Sequence, residues 1–208
     1  MGTRTVDQIV ADVADLLHDT IKNRWTQTNL ESYLNRAIIA LLQSRPDANV
    51  VETDLVLVEG FEQTIPVTSD RFMDIIKNVV TPEVKRPLEV DHSYMEDLSA
   101  NWIGAVPNDI VEQFSHDDRN HKRFTVYPPQ PVSPGTVRIL TSVIPPVVTS
   151  GNDIPVSDTW YEALLNYMLF AAYSRDYDER KVEHFSLFER LIGVKTQADS
   201  TVTPNAQG

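Results

Sequence analysis

The densest grouping of side chains able to bind a metal or move a proton is His116-Asp117-Asp118-Arg119-Asn120-His121. Two imidazoles and two carboxylates could hold a divalent cation with open positions, and His116, Asp118 and His121 would then serve a metal-dependent hydrolase. The spacing matches no helical ligand motif, however. Strand-like sequence flanks the cluster on both sides, which makes it the tip of a hairpin, and Asp and Asn are the residues such a turn needs. Turn chemistry already accounts for this composition.

Weaker candidates fare no better. Asp176, Asp178 and Glu179 stand beside Arg175, Arg180 and Lys181, as in a solvated helix link. His18, His92 and His184 are isolated and read as surface or half-buried structural residues. P-loop, dinucleotide-binding, nucleophile-elbow and HExxH patterns are all missing, and seven glycines leave little material for a phosphate cradle. No cofactor, metal or catalytic residue is expected. Trp25, Trp102 and Trp160 each fall at a junction between elements, where an indole fills a gap and its N–H finds a carbonyl. Trp102 and Ile103 lie in a loop, where large apolar side chains need a partner. They are candidate interface residues.

The elements that would carry these residues follow from periodicity. Val6, Ile9, Val10, Val13, Leu16, Leu17 and Ile21 recur every three or four residues, the stripe of a first helix, and Thr5 with Gln8 has capping-box form. Thr28 and Glu31 predict a second capping box after the Asn23-Arg24-Trp25 link. The second stripe comprises Leu30, Tyr33, Leu34, Ala37, Ile38, Leu41 and Leu42, and Pro46 stops it. A short link predicts an antiparallel helix hairpin.

From Val50 the period becomes two. Val51, Thr53, Leu55 and Leu57 alternate with Glu52, Asp54, Val56 and Val58, Glu59-Gly60 predicts a tight turn, and Phe61, Gln63 and Ile65 the returning strand. Further strands are expected at 74–80, 86–90, 110–115, 123–127 and 136–144, with helical turns at 69–72 and 92–98. Eleven of the 13 prolines lie between Pro66 and Pro155, where they punctuate short strands. Helix returns near Ser157-Asp158. Tyr161, Leu164, Leu165, Met168, Leu169 and Ala172 form its stripe, with Asn166 and Ser174 off it. Val182, Phe185, Phe188 and Ile192 form the last stripe, closed by Gly193. Residues 194–208 offer almost nothing to bury.

The expected fold class is α+β: an antiparallel bundle of about four helices drawn from both chain ends, an inserted small antiparallel β domain, and an extended C-terminal tail. The expected divisions are 1–48 for the N-terminal helix hairpin, 49–155 for the β-rich insert, 156–193 for the completing helices and 194–208 for the tail.

Composition narrows the function further. The chain has 208 residues, 41% hydrophobic and 23% charged, an ordinary globular composition. No run approaches a membrane span and no signal peptide is expected. The lack of cysteine rules out disulfides and thiolate sites and suits assembly in reducing cytoplasm. A net charge of −12 repels duplex DNA rather than holding it.

The order of several segments carries a resemblance. "NLESYLNRAIIALLQSRPDA", "LVEGFEQTIPV", "RPLEVDHSYMEDLSANWIG", "RFTVYPPQP", "VRILTSVIPP" and "DIPVSDTWYEALLNYMLFAAYSRD" follow one another across most of the chain. In order and spacing the chain resembles the head-to-tail adaptor, connector or gatekeeper family of short-tailed phages. The resemblance implies a structural virion protein in the neck or tail, assembled in the host cytoplasm. It also implies a homo-oligomeric ring, usually twelve-fold, beneath the portal protein. Such a ring extends the DNA channel without sequence-specific binding and carries the tail nozzle and tail fibre proteins, with no membrane partner. Within that reading Val194, Lys195, Thr196 and Pro204 of the tail are expected at an interface with portal or neighbouring subunit. Three alternatives stand beside it: a neck or tail-completion subunit that does not touch the portal, the hydrolase above, and a monomeric host-targeting protein.

Overall fold

The protein is described by a computed structural model covering residues 2–79, 86–91, 105–116 and 119–193. The tail residues Val194, Lys195, Thr196 and Pro204, the loop residues Trp102 and Ile103, and Asp117, Asp118 and His92 lie outside the described residues. The fold is α+β, with four α-helices and two sheets among the described residues. The chain divides into two compact units. One joins the N-terminal 49 residues to everything from Pro145 onward, and the other is Val50–Ile144.

In the first unit α1 (Val6–Leu16) starts at the expected capping box: Gln8 N–H donates to Thr5 Oγ1 at 3.2 Å, and Thr5 N–H donates to Gln8 Oε1 at 3.0 Å. Val6, Ile9, Val10 and Val13 are buried, but the helix ends before the stripe does. Leu16 is exposed, and Ile21 is 77% exposed in the link. The link is longer than expected because Asp19 organises it, accepting from the backbone N–H of Asn23, Arg24 and Trp25 at 3.0, 2.8 and 2.8 Å. Trp25 is buried behind that turn, with the guanidiniums of Arg24 and Arg175 over its ring.

The cap of α2 (Gln27–Ser44) differs from expectation. Thr26 accepts from Asn29 N–H at 3.3 Å, and Thr28 lies inside the helix. Two threonines two residues apart offer the same chemistry, and the extended backbone of the first decides between them. Pro46 follows the end of the helix, as expected.

A turn of 3₁₀ helix at Asp158–Trp160 leads into α3 (Tyr161–Arg175), and α4 (Arg180–Leu191) follows a short break in which Tyr177 is left-handed, with φ 57°. The four helices share one apolar core built on Ile9, Leu30, Leu34, Leu41, Leu164, Met168 and Ile192. Val148, Ile154 and Val156 belong to this core too, so the segment after Pro145 packs with the helices. Asn166, expected off the stripe, is buried. It is satisfied by donating to Glu162 O at 2.8 Å and by meeting His184 at 3.0 Å. Val182 and Phe185 are exposed, while Phe188 and Ile192 are buried, so only the C-terminal half of the last stripe faces inward.

The second unit holds both sheets. One has the strand order β1-β7-β3 and the other β2-β6-β5-β4. The strands are β1 (Val50–Val56), β2 (Gly60–Thr64), β3 (Arg71–Asn78), β4 (Leu88–Glu89), β5 (Gln113–His116), β6 (Arg123–Gln130) and β7 (Thr136–Ser142). The expected hairpin of β1 with β2 does not form. β1 pairs with β7 and β2 with β6, so the Glu59-Gly60 turn passes the chain from one sheet to the other. Gly60 has φ +97°, and the buried Gln63 braces the crossing by accepting from Val58 N–H at 2.7 Å and donating to its carbonyl at 2.8 Å.

Two further expectations need correction. β4 runs parallel to β5, so the insert is not purely antiparallel, and Arg71 and Phe72 begin β3 where a helical turn was expected. β6 also runs on through Pro128 and Pro129. The core between the sheets is Leu57, Ile65, Phe72, Ile75, Val111, Phe114, Phe124, Val126, Val137 and Ile139, with Phe72 stacked on Phe124 at 4.4 Å.

Candidate functional site

The histidine-rich turn is held in place by β5 on one side and β6 on the other. His116 ends β5 with its Nδ1 3.0 Å from Glu89 Oε1 and its ring 5.8 Å from that of Phe72. His121 lies just before β6 and faces elsewhere: Arg71 Nη2 donates to its Nε2 at 2.8 Å. A guanidinium can only donate, so the Nε2 lone pair of His121 is engaged by a cation. That electrostatic setting repels a metal ion. Among the described residues no group of three His, Asp or Glu side chains is arranged to hold one.

An open cleft of about 980 Å³ lies beside this turn, lined in part by Glu62, Glu89, Asp91, His116, Arg119 and Arg123. Acids and bases alternate around it and pair with one another, His116 with Glu89 at 3.0 Å and Arg123 with Glu62 at 4.0 Å. Among the described residues His116 and His121 are engaged separately, by Glu89 and by Arg71.

The surface of the β unit has a more distinctive feature. Among the described residues β1 is an edge strand with β7 as its one strand neighbour, and six of its seven residues are exposed. Register explains why this is unusual. Val51, Thr53 and Leu55 lie opposite Thr141, Ile139 and Val137, all buried, so these β1 residues share the core-facing side of the sheet. Leu55, at one end of β1, packs against the core, whereas Val51 toward the other end is 44% exposed. On the other face Glu52 and Asp54 lie between Val50 and Val56, and Val56 is 64% exposed. Asp54 receives a two-pronged bond from Arg138, Nε to Oδ1 at 2.7 Å and Nη2 to Oδ2 at 3.0 Å, which holds its carboxyl below the usual range. The pairing of β1 with β7 runs without a bulge, whereas β2 and β3 each have register shifts.

Soluble proteins normally blunt a valine-bearing strand edge with charge, proline or a bulge; β1 has neither proline nor bulge, and Glu52 and Asp54 are its charged residues. Sequence reasoning missed this. "VVETDLV" alternates as a half-buried strand does, and nothing in the alternation says whether a core lies underneath. The one available signal was two carboxylates on a strand otherwise rich in valine.

No helix among the described residues is long and apolar enough to cross a membrane. No curated protein matches the chain. A family model does match, described as SU10 adaptor protein, and it aligns with residues 4–208, through both compact units. On that match the chain belongs to the SU10 adaptor protein family, as a phage structural adaptor.

Proposed function

We propose that this chain is a head-to-tail adaptor that forms a ring beneath the portal of a tailed phage, extends the DNA channel and carries the nozzle and tail fibres. The observation that carries this reading is the family match over residues 4–208. An adaptor family implies oligomeric assembly with portal and tail proteins and a place in the virion neck. The twelve-fold count, the portal contact and the distal partners are the finer parts of the proposal. So is an antiparallel bundle arrangement of the four helices.

Physical properties support the role. A net charge of −12 suits a channel wall that must pass duplex DNA without retaining it. The exposed Val50, Val51 and Val56 of β1 supply apolar surface on the β unit. In this reading the tail residues Val194, Lys195, Thr196 and Pro204 dock on the portal or a neighbouring subunit, Trp102 and Ile103 contact a neighbour, and the protein performs no catalysis. Assembly takes place in the host cytoplasm.

The test is size-exclusion chromatography with light scattering, on the protein alone and then mixed with portal rings of the same phage. Co-elution at the mass of portal plus a full ring is the expected result. Persistent separation of the two would move the protein to the lower neck, as a tail-completion subunit. Metal analysis of the same samples addresses the hydrolase alternative: one equivalent of divalent metal, lost in His116→Ala and His121→Ala, would revive it.

A further inference from the structure

We infer that the end of the β unit where Val58, Val106 and Val132 stand exposed is a pre-formed docking platform for a protein partner, one presenting an apolar surface rimmed by Lys or Arg. This rests on the adaptor reading above and assigns a surface to one of its assembly contacts.

Three connecting segments meet at this end. β1 and β7 pair from Val50 opposite Ser142 to Val56 opposite Thr136, β3 closes with Asn78 opposite Val137, and β2 opens with Gly60 opposite Gln130. The crossing at 57–60 and the turn at 131–135 therefore lie together, and Leu57 N–H donates to Gly135 O at 3.0 Å. Segment 105–110 joins them, with Asn108 N–H donating to Pro129 O at 3.0 Å. The approach is so close that a Cβ on Gly135 would lie 1.9 Å from Asp109 O, so glycine is required there. The chain enters and leaves the unit at the other end of the same strand pair, beside Val50 and Ser142.

Buried amides lock the three segments. Gln63 holds both the N–H and the carbonyl of Val58. Gln130 donates to Asn108 O at 2.9 Å and accepts from Gly135 N–H at 3.0 Å. Asn78 does the same for Val111, accepting its N–H at 2.9 Å and donating to its carbonyl at 2.8 Å. All three side chains are buried, where a polar group is costly unless bonded, and all three bond to the backbone of connections rather than of the sheets' core. Segments fixed in this way lose little freedom when a partner binds.

What the locked segments display is apolar. Val106 is 85% exposed, Val132 80% and Val58 57%, and Pro107 is exposed beside Val106. Single exposed valines are ordinary, but these stand on segments bonded to one another.

Charge selects the occupant. The ionisable side chains of 57–60, 105–110 and 131–135 are Glu59 and Asp109, both exposed, and neither is ion-paired among the described residues. Two unpaired acids beside apolar side chains complement a partner whose apolar surface is flanked by Lys or Arg. They oppose two-fold pairing of the platform with itself, which sets acid against acid, and they repel nucleic acid.

The test uses full-length protein. Portal rings of the same phage are added first and tail nozzle protein second, and retention of each is measured by light scattering and titration. Val106→Asp and Val132→Asp should each weaken one of these two contacts by about tenfold or more, with unchanged thermal melting, because both side chains already lie in water in the free protein. Glu59→Lys combined with Asp109→Lys should weaken the same contact by about tenfold and remove most of its dependence on salt. Parent-like affinity of the valine variants for both partners overturns the platform and leaves the adaptor reading intact. A change in the oligomeric state of the protein on its own would make the occupant a second copy and overturn the proposal too. A parent protein that binds neither partner overturns both readings. Should a variant melt early, hydrogen exchange of the parent complex decides: amides in 57–60 and 105–110 and at Val132 and Ser133 should slow on binding, and unchanged exchange there overturns the platform.

Discussion

His184 on α4 meets Asn166 on α3 through Nδ1 and Oδ1 at 3.0 Å, and the Asn166 amide is oriented for this by donating its own N–H to Glu162 O at 2.8 Å. The imidazole therefore donates through Nδ1, and its ring stacks on Tyr173 at 5.4 Å. Burial holds the His184 pKa below its ordinary value of 6.5, with Arg180 pushing the same way and Glu183 opposing. A histidine with a depressed folded pKa stabilises the fold fully above its unfolded pKa. That contribution is lost as pH falls below about 6.5 toward the folded value. Thermal melts from neutrality to about pH 5 should show a declining midpoint, and His184→Gln should flatten that decline. An unchanged slope would mean that other groups set it. Asn166→Ala leaves the ring nitrogen without a partner and should cost about 1–2 kcal/mol in chemical denaturation.

The helix caps give a discriminating pair of substitutions. Thr26→Ala removes the acceptor for the Asn29 N–H and should cost about 1 kcal/mol, as should Thr5→Ala at the capping box of α1. Thr28→Ala, inside α2, should be neutral to slightly stabilising, because alanine has the higher helix propensity. Denaturation monitored by far-UV circular dichroism measures all three. A Thr28 effect larger than that of Thr26 would place the cap where the sequence alone suggested it.

Asp19 shapes the link between α1 and α2 through three backbone N–H groups, and hydrogen bonding, foremost from Trp25, holds its carboxyl below 3.8. A carboxylate with a depressed folded pKa stabilises the fold above its unfolded value and loses that contribution as pH falls through the folded one. Asp19→Ala should lower the melting temperature at neutral pH and by less under strongly acidic conditions. It should also expose Trp25, seen as a red shift of its fluorescence in a chain carrying Trp102→Phe and Trp160→Phe.

Phe72 is stacked on Phe124 and lies edge-on to Phe114, with ring centroids 5.8 Å apart. Phe72→Ala should cost about 3–5 kcal/mol by leaving a cavity, and Phe72→Leu less. Because Val50–Ile144 has its own core, hydrogen exchange should accelerate in β3, β6 and β7 well before it does in α3. Uniform acceleration through both units would show that they unfold together.

The residues of this chain specified its local structure largely without help. The capping box at Thr5, the buried stripes of α1 and α2, the stop at Pro46, the helix from Tyr161 and the approximate strand positions all follow from propensity, periodicity and backbone chemistry within a few residues. The order of segments likewise carried the family. Errors arose wherever the deciding interaction was distant in the chain. β1 and β2 read as a hairpin because a turn joins them, yet β7, some eighty residues later, competes for β1 and takes it. Asn166 read as exposed because its burial depends on His184. Val182 and Val51 repeat the spacing of buried neighbours, but no second element among the described residues covers them, and periodicity records only which side a residue faces. His116 and His121 are close in sequence, but Glu89 and Arg71, each from another strand, engage them separately. Sequence determined which residues could face a partner. Tertiary structure decided which ones found a partner within the chain and which, along the edge of β1, remain exposed, because burial and pairing are properties of the assembled sheets and cores rather than of any window of residues.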